Sequence, residues 1–430
     1  MPNIPLDLLY TISSTVTDPE DLKALSIVAR DFVAPAQTFL FRRTTFTVYR
    51  GGRTLQAFSS FLQQPSSPIA SYVHALYLRG GWTSNNRQVR IKQEDVHQII
   101  RALLALIDLT LDQFEWLPSP TSDLPLYTHD QLKSISIRDI HASSWHESPL
   151  EVLRFARRWE RIHILDLQHR IILPHIRRAP FAARIVIIDH CPFFVNSADQ
   201  VSTREPSVVN IESLVMQDTV SSQASLLKQL LAGSVQTLQR LSIELCPARR
   251  MAPLSVWKDA FNFLMKCINL RYIRITVPLE QRWTSTTSGS HQTLGLHLEV
   301  LLEILAAVPH NTLVCEITLD MPLYVSTPQA RRLLRRIPWH QIQICLRSLS
   351  QLQAVVIRVN DMFLPASIQW TKEDTIDVRR NLSILPQSKG QLEDTVMHFY
   401  KTEKGLEQAQ DICKKAYNQF SHDNFYFDLI

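Results

Sequence analysis

The sequence predicts an α/β protein: a small helical module at the N-terminus, followed by an irregular solenoid with parallel strands on its concave face and helices on its convex face. Two observations lead to the solenoid. A short strand-like pattern recurs about ten times, and amphipathic helical stretches precede many of its copies. A third observation predicts the module, because two short amphipathic helices open the chain.

The first forty residues carry start signals for two short helices. Pro5 suits the first position of a helix and Asp7 its first turn, while Asp18 is a good N-cap with Pro19 directly after it. A third short segment follows at 35–43. Two helices of this size are too small to be a domain, so their apolar stripes are expected to contact something else. The stripes are Ile4, Leu8, Leu9, Ile12 and Val16 on the first helix, and Leu22, Leu25, Val28 and Phe32 on the second.

The recurring pattern is an apolar residue, two variable residues, an apolar residue, one variable residue and a final apolar residue. Each copy has the length of a strand, contains β-branched residues and ends in period-two alternation, so each is predicted to form a strand. The copies lie at 73–78, 106–111, 132–137, 162–167, 182–187, 211–216, 238–243, 270–275, 314–319 and 352–357.

Helical stretches with apolar residues at i, i+3 and i+4 precede several copies. One strand and one helix in each period of about thirty residues make a solenoid unit, because neither element can bury its apolar side without a stacked neighbour. An α/β fold that merely alternates strands and helices remains an alternative. The helical stretches lie at 96–106, 149–159, 224–235, 259–268 and 297–308.

This repetition resembles the leucine-rich repeat, and the resemblance covers about residues 69–360. The Asn or Cys that the family has three positions after the last apolar residue is mostly absent. Phe114, Ile140, Arg170 and His190 stand there in four of the copies. An Asn ladder would satisfy buried backbone groups at the turn, so its loss predicts an irregular, less tightly coiled arc.

The stretches IPLDLLYTI, VTDPEDLKALSIVARDF and LFRR resemble an F-box. The segment from Asp18 to Leu22 matches the Asp-Pro-x-Asp-Leu loop of that family, while Val16 replaces its usual Leu and Phe32 its Trp. The resemblance implies that an apolar stripe docks into a Skp-family adaptor. The implied adaptor-binding residues are Ile4, Pro5, Leu8, Leu9, Ile12, Val16, Leu22, Leu25, Val28 and Phe32.

An F-box followed by leucine-rich-repeat-like units resembles the receptor subunits of Skp–cullin–F-box ubiquitin ligases. The resemblance implies that the adaptor links the chain to a cullin, and that the repeats hold an unknown target protein near the ligase. The alternative is an interaction scaffold with a degenerate F-box, whose helices only cap the first repeat. Either way the expected location is cytoplasmic or nuclear, with no nucleic acid or membrane as a partner.

If the strands line a concave face, the residues between and just after the apolar positions point outward and form the candidate target-binding face. Both charge signs occur there among small polar groups, which suits a protein partner better than nucleic acid. The candidates are Tyr77, Arg79, Asp112, Arg138, Asp166, Gln168, Gln217, Glu244, Arg274, Asp320 and Arg358.

Composition argues against catalysis and against membrane insertion. The 430 residues are 45% hydrophobic and 20% charged with a net charge of +5, and no apolar run approaches the length of a bilayer-spanning helix. Only nine glycines occur, and none forms GxGxxG, GxxxxGK or GxSxG; the histidines form no HExxH. The six cysteines include no CxxC pair and are expected to be reduced core thiols. No enzyme, cofactor or metal is therefore predicted.

The expected domain organisation has four parts. Residues 1–45 form the F-box-like module, 46–68 a connecting segment and 69–385 the solenoid. Residues 386–430 break the rhythm and are expected to form a strand and a helix that cap the last repeat, with a free recognition tail as the alternative.

Overall fold

The computed structural model describes residues 5–48, 54–64, 68–81, 88–117, 129–142, 149–167, 181–189, 191, 208–219, 223–245, 254–278, 290–310, 312–323, 337–352, 354–361 and 397–399. The chain forms two compact units. Unit one is Met1–Leu241 with Ser255–Cys267, and unit two is Ser242–Leu254 with Ile268–Ile430. Among the helices of the described residues, none combines the length and apolar character needed to cross a lipid bilayer.

The α-helices begin at local signals in the sequence. Asp18 caps α2, and the Oγ1 of Thr54 accepts a hydrogen bond from the backbone N–H of Ala57 at 3.1 Å to cap α4. In chain order the helices are α1 (Leu6–Thr15), α2 (Pro19–Val28), α3 (Val33–Leu40), α4 (Leu55–Leu62), α5 (Ile69–Tyr72), α6 (Gln93–Ala102), α7 (Ala224–Ala232), α8 (Leu254–Leu264), α9 (Ser290–Ala307) and α10 (Trp339–Arg347), with 3-10 turns at Arg30–Phe32 and Pro149–Phe155.

Strands and α-helices alternate from Ser213 to Asp361, whereas between Ala102 and Ala224 the described residues contain strands and a 3-10 turn but no α-helix. The strands are β1 (Arg43–Thr47), β2 (Ala75–Arg79), β3 (Val89–Lys92), β4 (Asp108–Leu117), β5 (Ser134–Ala142), β6 (Arg158–Leu165), β7 (Phe181–Asp189), β8 (Val208–Val209), β9 (Ser213–Thr219), β10 (Arg240–Leu245), β11 (Tyr272–Thr276), β12 (Glu316–Leu323), β13 (Ala354–Asp361) and β14 (Met397–Phe399).

The sheet of unit one follows chain order. Its strands run β1-β2-β4-β5-β6-β7-β9, with β3 added beside β4 and β8 beside β7, and these pairings are parallel. A doubly wound sheet reverses its strand order at a switch point, whereas a solenoid adds each strand beside the previous one. The α/β class and the parallel strands are confirmed, and the strand order is that of a solenoid. The leucine-rich-repeat identity and the concave shape stay predictions.

The strands of unit two have the parallel order β11-β12-β13-β14, and α9 packs against α10. The apolar positions keep one register, with Ile273 opposite Ile317 and Ile317 opposite Val355. The strand β14 lies within residues 386–430, where the sequence predicted a strand; the helix predicted after it lies outside the described residues.

A backbone kink recurs at the same register in β4, in β5 and directly after β6. Gln113, Asp139 and Asp166 have left-handed φ values of 60°, 46° and 52°. Each kink moves the alternation by one residue, so the next buried side chain comes three positions after the last one instead of two. The buried sets are Leu109, Leu111 and Phe114, then Ile135, Ile137 and Ile140, then Ile162, Ile164 and Leu167.

The register corrects the fourth and fifth copies of the pattern. Ile164 pairs with Ile137, and Ile188 pairs with Ile164, so the final buried position is three residues earlier than expected in β6 and one residue later in β7. In these two strands apolar residues stand at odd and at even positions, so the sequence alone does not decide which ones face the core. Three positions further on stand buried Leu167 and Cys191, in place of Arg170 and His190.

Two further expectations are corrected by the described residues. The helix predicted over 149–159 is a 3-10 turn, Pro149–Phe155, and β6 already begins at Arg158. The buried indole of Trp159 donates to the Leu153 carbonyl at 3.0 Å, which fixes this tight turn. The sheet also starts earlier than expected, because β1 begins at Arg43 within the predicted module.

Candidate functional site

The N-terminal helices pack around α3. Both α1 and α2 contact α3, which also contacts β1, the first strand of the sheet. The turn between α1 and α2 is held by Asp18, whose Oδ1 accepts the backbone N–H of Glu20 at 2.8 Å, with Pro19 at the first helical position. The two short helices expected from the sequence, joined by a turn, are therefore present.

The structure divides the predicted adaptor-binding residues into buried and exposed sets. Leu9 and Leu22 are buried at 3% and 5% exposure, so they hold the module together instead of facing a partner. Leu8 and Val28 are exposed at 49% and 77%, and Ile27, which the sequence analysis did not select, at 83%. Pro5 is exposed, Ile12, Val16, Leu25 and Phe32 are half-buried, and Ile4 lies outside the described residues.

The Asp18 cap gives a first testable prediction. We expect Asp18→Ala to destabilise α2 by about 1 kcal/mol, because it leaves a backbone N–H of the first turn without its side-chain acceptor. Hydrogen exchange of peptides covering α2 should accelerate, whereas Asp18→Asn, which keeps an acceptor oxygen, should exchange almost as the natural chain does. Equal protection in Asp18→Ala would show that the cap does not hold this helix.

The second candidate surface is the open face of unit one, where polar side chains stand between the buried positions of β2, β4, β5 and β6. Parallel sheets usually have both faces covered, so a polar, partly exposed face on a parallel sheet indicates a binding surface. Two rows cross the strands at shared registers. The first row is Tyr77, Thr110, Ser136 and His163, and the second is Arg79, Asp112, Arg138 and Leu165.

Asp112 organises one half of the open face. The Tyr77 hydroxyl donates to Asp112 Oδ2, and the Nε of Arg79 lies 3.8 Å from the same oxygen. Arg79 Nε also donates to Gln113 Oε1 at 3.2 Å. Burial, and then the hydrogen bond to Asp112, raise the pKa of Tyr77 to about 12, so the phenol stays a neutral donor.

The other half of the open face is positive. Arg138 Nε donates to Ser136 Oγ at 2.9 Å, and this oxygen lies 3.5 Å from His163 Nδ1. Burial, and then the positive charges of Arg138 and Arg161, lower the pKa of His163 to about 4. The imidazole is therefore neutral at pH 7.

The register explains which open-face residues the sequence analysis missed. His163 and Leu165 hold the positions in β6 that Ser136 and Arg138 hold in β5. Asp166 instead occupies the exposed kink after β6, and Gln168 lies outside the described residues. Pairing with β5 identifies these positions, whereas the apolar pattern of β6 alone does not.

The remaining candidates lie further along the chain. Gln217 and Glu244 are half-buried in β9 and β10. In unit two, Arg274 Nε donates to Oδ2 of the buried Asp320 at 2.5 Å, so these two predicted residues come together. Arg358 stands opposite Asp320 in the backbone register.

The chemistry of the described residues favours binding. Burial raises the pKa of the Cys191 and Cys267 thiols to about 12, which leaves them poor nucleophiles. No group of His, Cys, Asp and Glu side chains in the described ranges is arranged to hold a metal ion. The open face can instead offer hydroxyl, guanidinium and carboxylate groups to a partner.

Comparison with known proteins leaves the family open. No protein-family model matches the chain, and no curated protein has a significantly similar sequence.

Proposed function

We propose that this chain is the substrate-recognition subunit of a Skp–cullin–F-box ubiquitin ligase. Its N-terminal helices dock onto a Skp-family adaptor, which connects the chain to a cullin, and the open face binds a target protein. The chain contributes proximity, because a bound target is held where ubiquitin transfer becomes an effectively local reaction. No catalytic group of its own is required.

The observation that carries the proposal is the exposure of large apolar side chains on α1 and α2. Leu8, Ile27 and Val28 are about half exposed or more, although Leu9 and Leu22 beside them are buried. Helices that served only as a cap have no reason to display this apolar surface to water, whereas helix-in-groove docking requires it.

The second candidate function is an interaction scaffold in which the helices act only as a cap. The contact of α3 with β1 favours it, because the first strand of a solenoid needs a cover. Capping is compatible with adaptor binding, since the buried residues serve the first role and the exposed ones the second. The two functions differ in whether the exposed leucine, isoleucine and valine bind anything.

The deciding experiment measures binding of the purified chain to the Skp adaptor of its own organism. We expect Leu8→Asp to weaken binding at least tenfold, because it puts a charge at an apolar contact. The matched control is Leu104→Asp, since Leu104 is 68% exposed and lies outside the module. Point variants are preferable to truncation, because removing α3 would uncover β1.

Circular dichroism should show all three proteins folded. The receptor function is supported if the natural chain and Leu104→Asp bind the adaptor and Leu8→Asp does not. If the folded natural chain does not bind the adaptor, the ligase proposal falls and the scaffold function stands.

A further inference from the structure

Arg138 differs from several other arginines of the sheet in its partners. Its Nε donates to Ser136 Oγ, two residues earlier on the same strand, and among the described residues no carboxylate pairs with it. A carboxylate oxygen lies within 3.0 Å of several other arginines: Arg90 with Glu115, Arg184 with Glu212, and Arg274 with Asp320. The half-buried charge of Arg138 is thus left without a counter-ion in the described part of the chain.

Two acidic residues close to Arg138 lie beside other groups. Asp112, opposite Arg138 in β4, accepts the Tyr77 hydroxyl and lies beside Arg79. Asp139 Oδ1 lies 3.5 Å from His141 Nε2. These contacts use the carboxylates, so the guanidinium keeps N–H groups available for an outside acceptor.

The groups around Arg138 complete a place for an anion. Ser136 brings a hydroxyl, and His163 lies within 3.5 Å of that hydroxyl. Thr110 stands opposite Ser136 on the next strand. Burial and the charges of Arg138 and Arg161 keep the imidazole of His163 neutral, as its lowered pKa shows. The guanidinium of Arg138 therefore supplies the positive charge next to the Ser136 hydroxyl, and the imidazole adds no charge of its own.

We propose that Arg138 binds the carboxylate of an acidic side chain, Asp or Glu, presented by a polypeptide on the open face. The proposal rests on the proposed function and names the chemistry of its target. A planar guanidinium presents paired N–H groups to the two oxygens of a carboxylate. The charge of the Arg138 guanidinium balances one carboxylate, whereas a phosphate would bring nearly two negative charges to this half-buried guanidinium.

The test uses the full-length chain alone, with no adaptor present. Three immobilised pools of short peptides carry a central Glu, a central Gln or a central phosphoserine between random neutral residues. We expect the natural chain to retain the Glu pool about tenfold more strongly than the Gln pool, because a charge-assisted pair is lost with Gln. Arg138→Gln should remove this preference, and Arg138→Lys should keep only part of it.

Arg90→Gln is the matched control, because Arg90 lies on β3 and is paired with Glu115. The preference should survive in this variant. Equal retention of the Glu and Gln pools, or an unchanged preference in a folded Arg138→Gln, overturns the proposal. Stronger retention of the phosphoserine pool overturns the assignment of a carboxylate. If the chain prefers the Glu pool but does not bind the adaptor, the ligase proposal is wrong and the proposed carboxylate site is retained.

Discussion

Replacing Gly80 by alanine should destabilise unit one by about 3 kcal/mol, whereas the same change at the neighbouring Gly81 should have almost no effect. A Cβ at Gly80 would lie 2.0 Å from the backbone oxygen of Gln113 and 2.8 Å from Cδ1 of Phe114. The oxygen belongs to the kink of β4 and cannot swing aside as a flexible side chain would. At Gly81 an added Cβ meets no atom within 4 Å.

The backbone around Gly80 leaves little room for relaxation. Its N–H donates to the Asp112 carbonyl at 2.8 Å, so β2 is tied to β4 immediately before the kink at Gln113. Moving the strands apart breaks this bond and loosens the packing of Phe114, which is fully buried. The strain therefore reaches the buried side of the sheet as well as the open face.

Thermal unfolding followed by circular dichroism measures the effect. We expect Gly80→Ala to lower the melting temperature by roughly 5–10 °C, and Gly81→Ala to stay close to the natural chain. Hydrogen exchange should rise in peptides of β2 and β4 before it rises in β9. A melting temperature unchanged by Gly80→Ala would contradict the close approach of β2 and β4.

The sequence predicts the strands well where apolar residues occupy only every second position. In β4 and β5 the buried leucines and isoleucines alternate cleanly, and the expected inward positions are those found. In β6 and β7 apolar residues fill both parities, so only pairing with the neighbouring strand decides the register. The left-handed kinks could not be predicted, because Gln113, Asp139 and Asp166 carry no glycine signal.

The candidate site shows a similar division. Helical spacing selects both Leu8 and Leu9, but it cannot tell which one faces α3 and which one faces water. The sequence predicts Tyr77, Arg79, Asp112 and Arg138 on the outward face because they stand between or just after the apolar positions of their strands, and the register places them in two neighbouring rows. The mutual contacts of these side chains depend on neighbouring strands, which the sequence of one strand does not describe.

A large effect of acidic pH on stability is expected from His163. Its pKa is about 4 in the folded protein, lowered by burial first and then by Arg138 and Arg161. In the unfolded chain a histidine has a pKa near 6.5. Between these two values the unfolded state binds more protons than the folded state, so the free energy of unfolding decreases as the pH falls from about 6.5 to about 4.

The comparison of the natural chain with His163→Gln isolates this effect. Other groups titrate in both proteins, but the glutamine variant lacks the proton uptake at position 163. Between pH 7 and pH 4.5 the natural chain should lose roughly 2 kcal/mol more stability than the variant, as urea unfolding at each pH would show. Parallel pH profiles for the two proteins would contradict a buried, neutral imidazole at this place.

The contribution of Arg138 to this pH dependence can be separated from that of burial. Arg138→Gln removes one positive charge near the imidazole but leaves Arg161 and the burial unchanged, so the pKa of His163 should rise only in part. The pH range over which the free energy of unfolding decreases should then be narrower, because its lower limit, the pKa of His163 in the folded protein, moves up. Because burial is the larger cause, this pH dependence should still be present in Arg138→Gln. Its complete loss in this variant would mean that the arginine charge, and not desolvation, keeps His163 neutral.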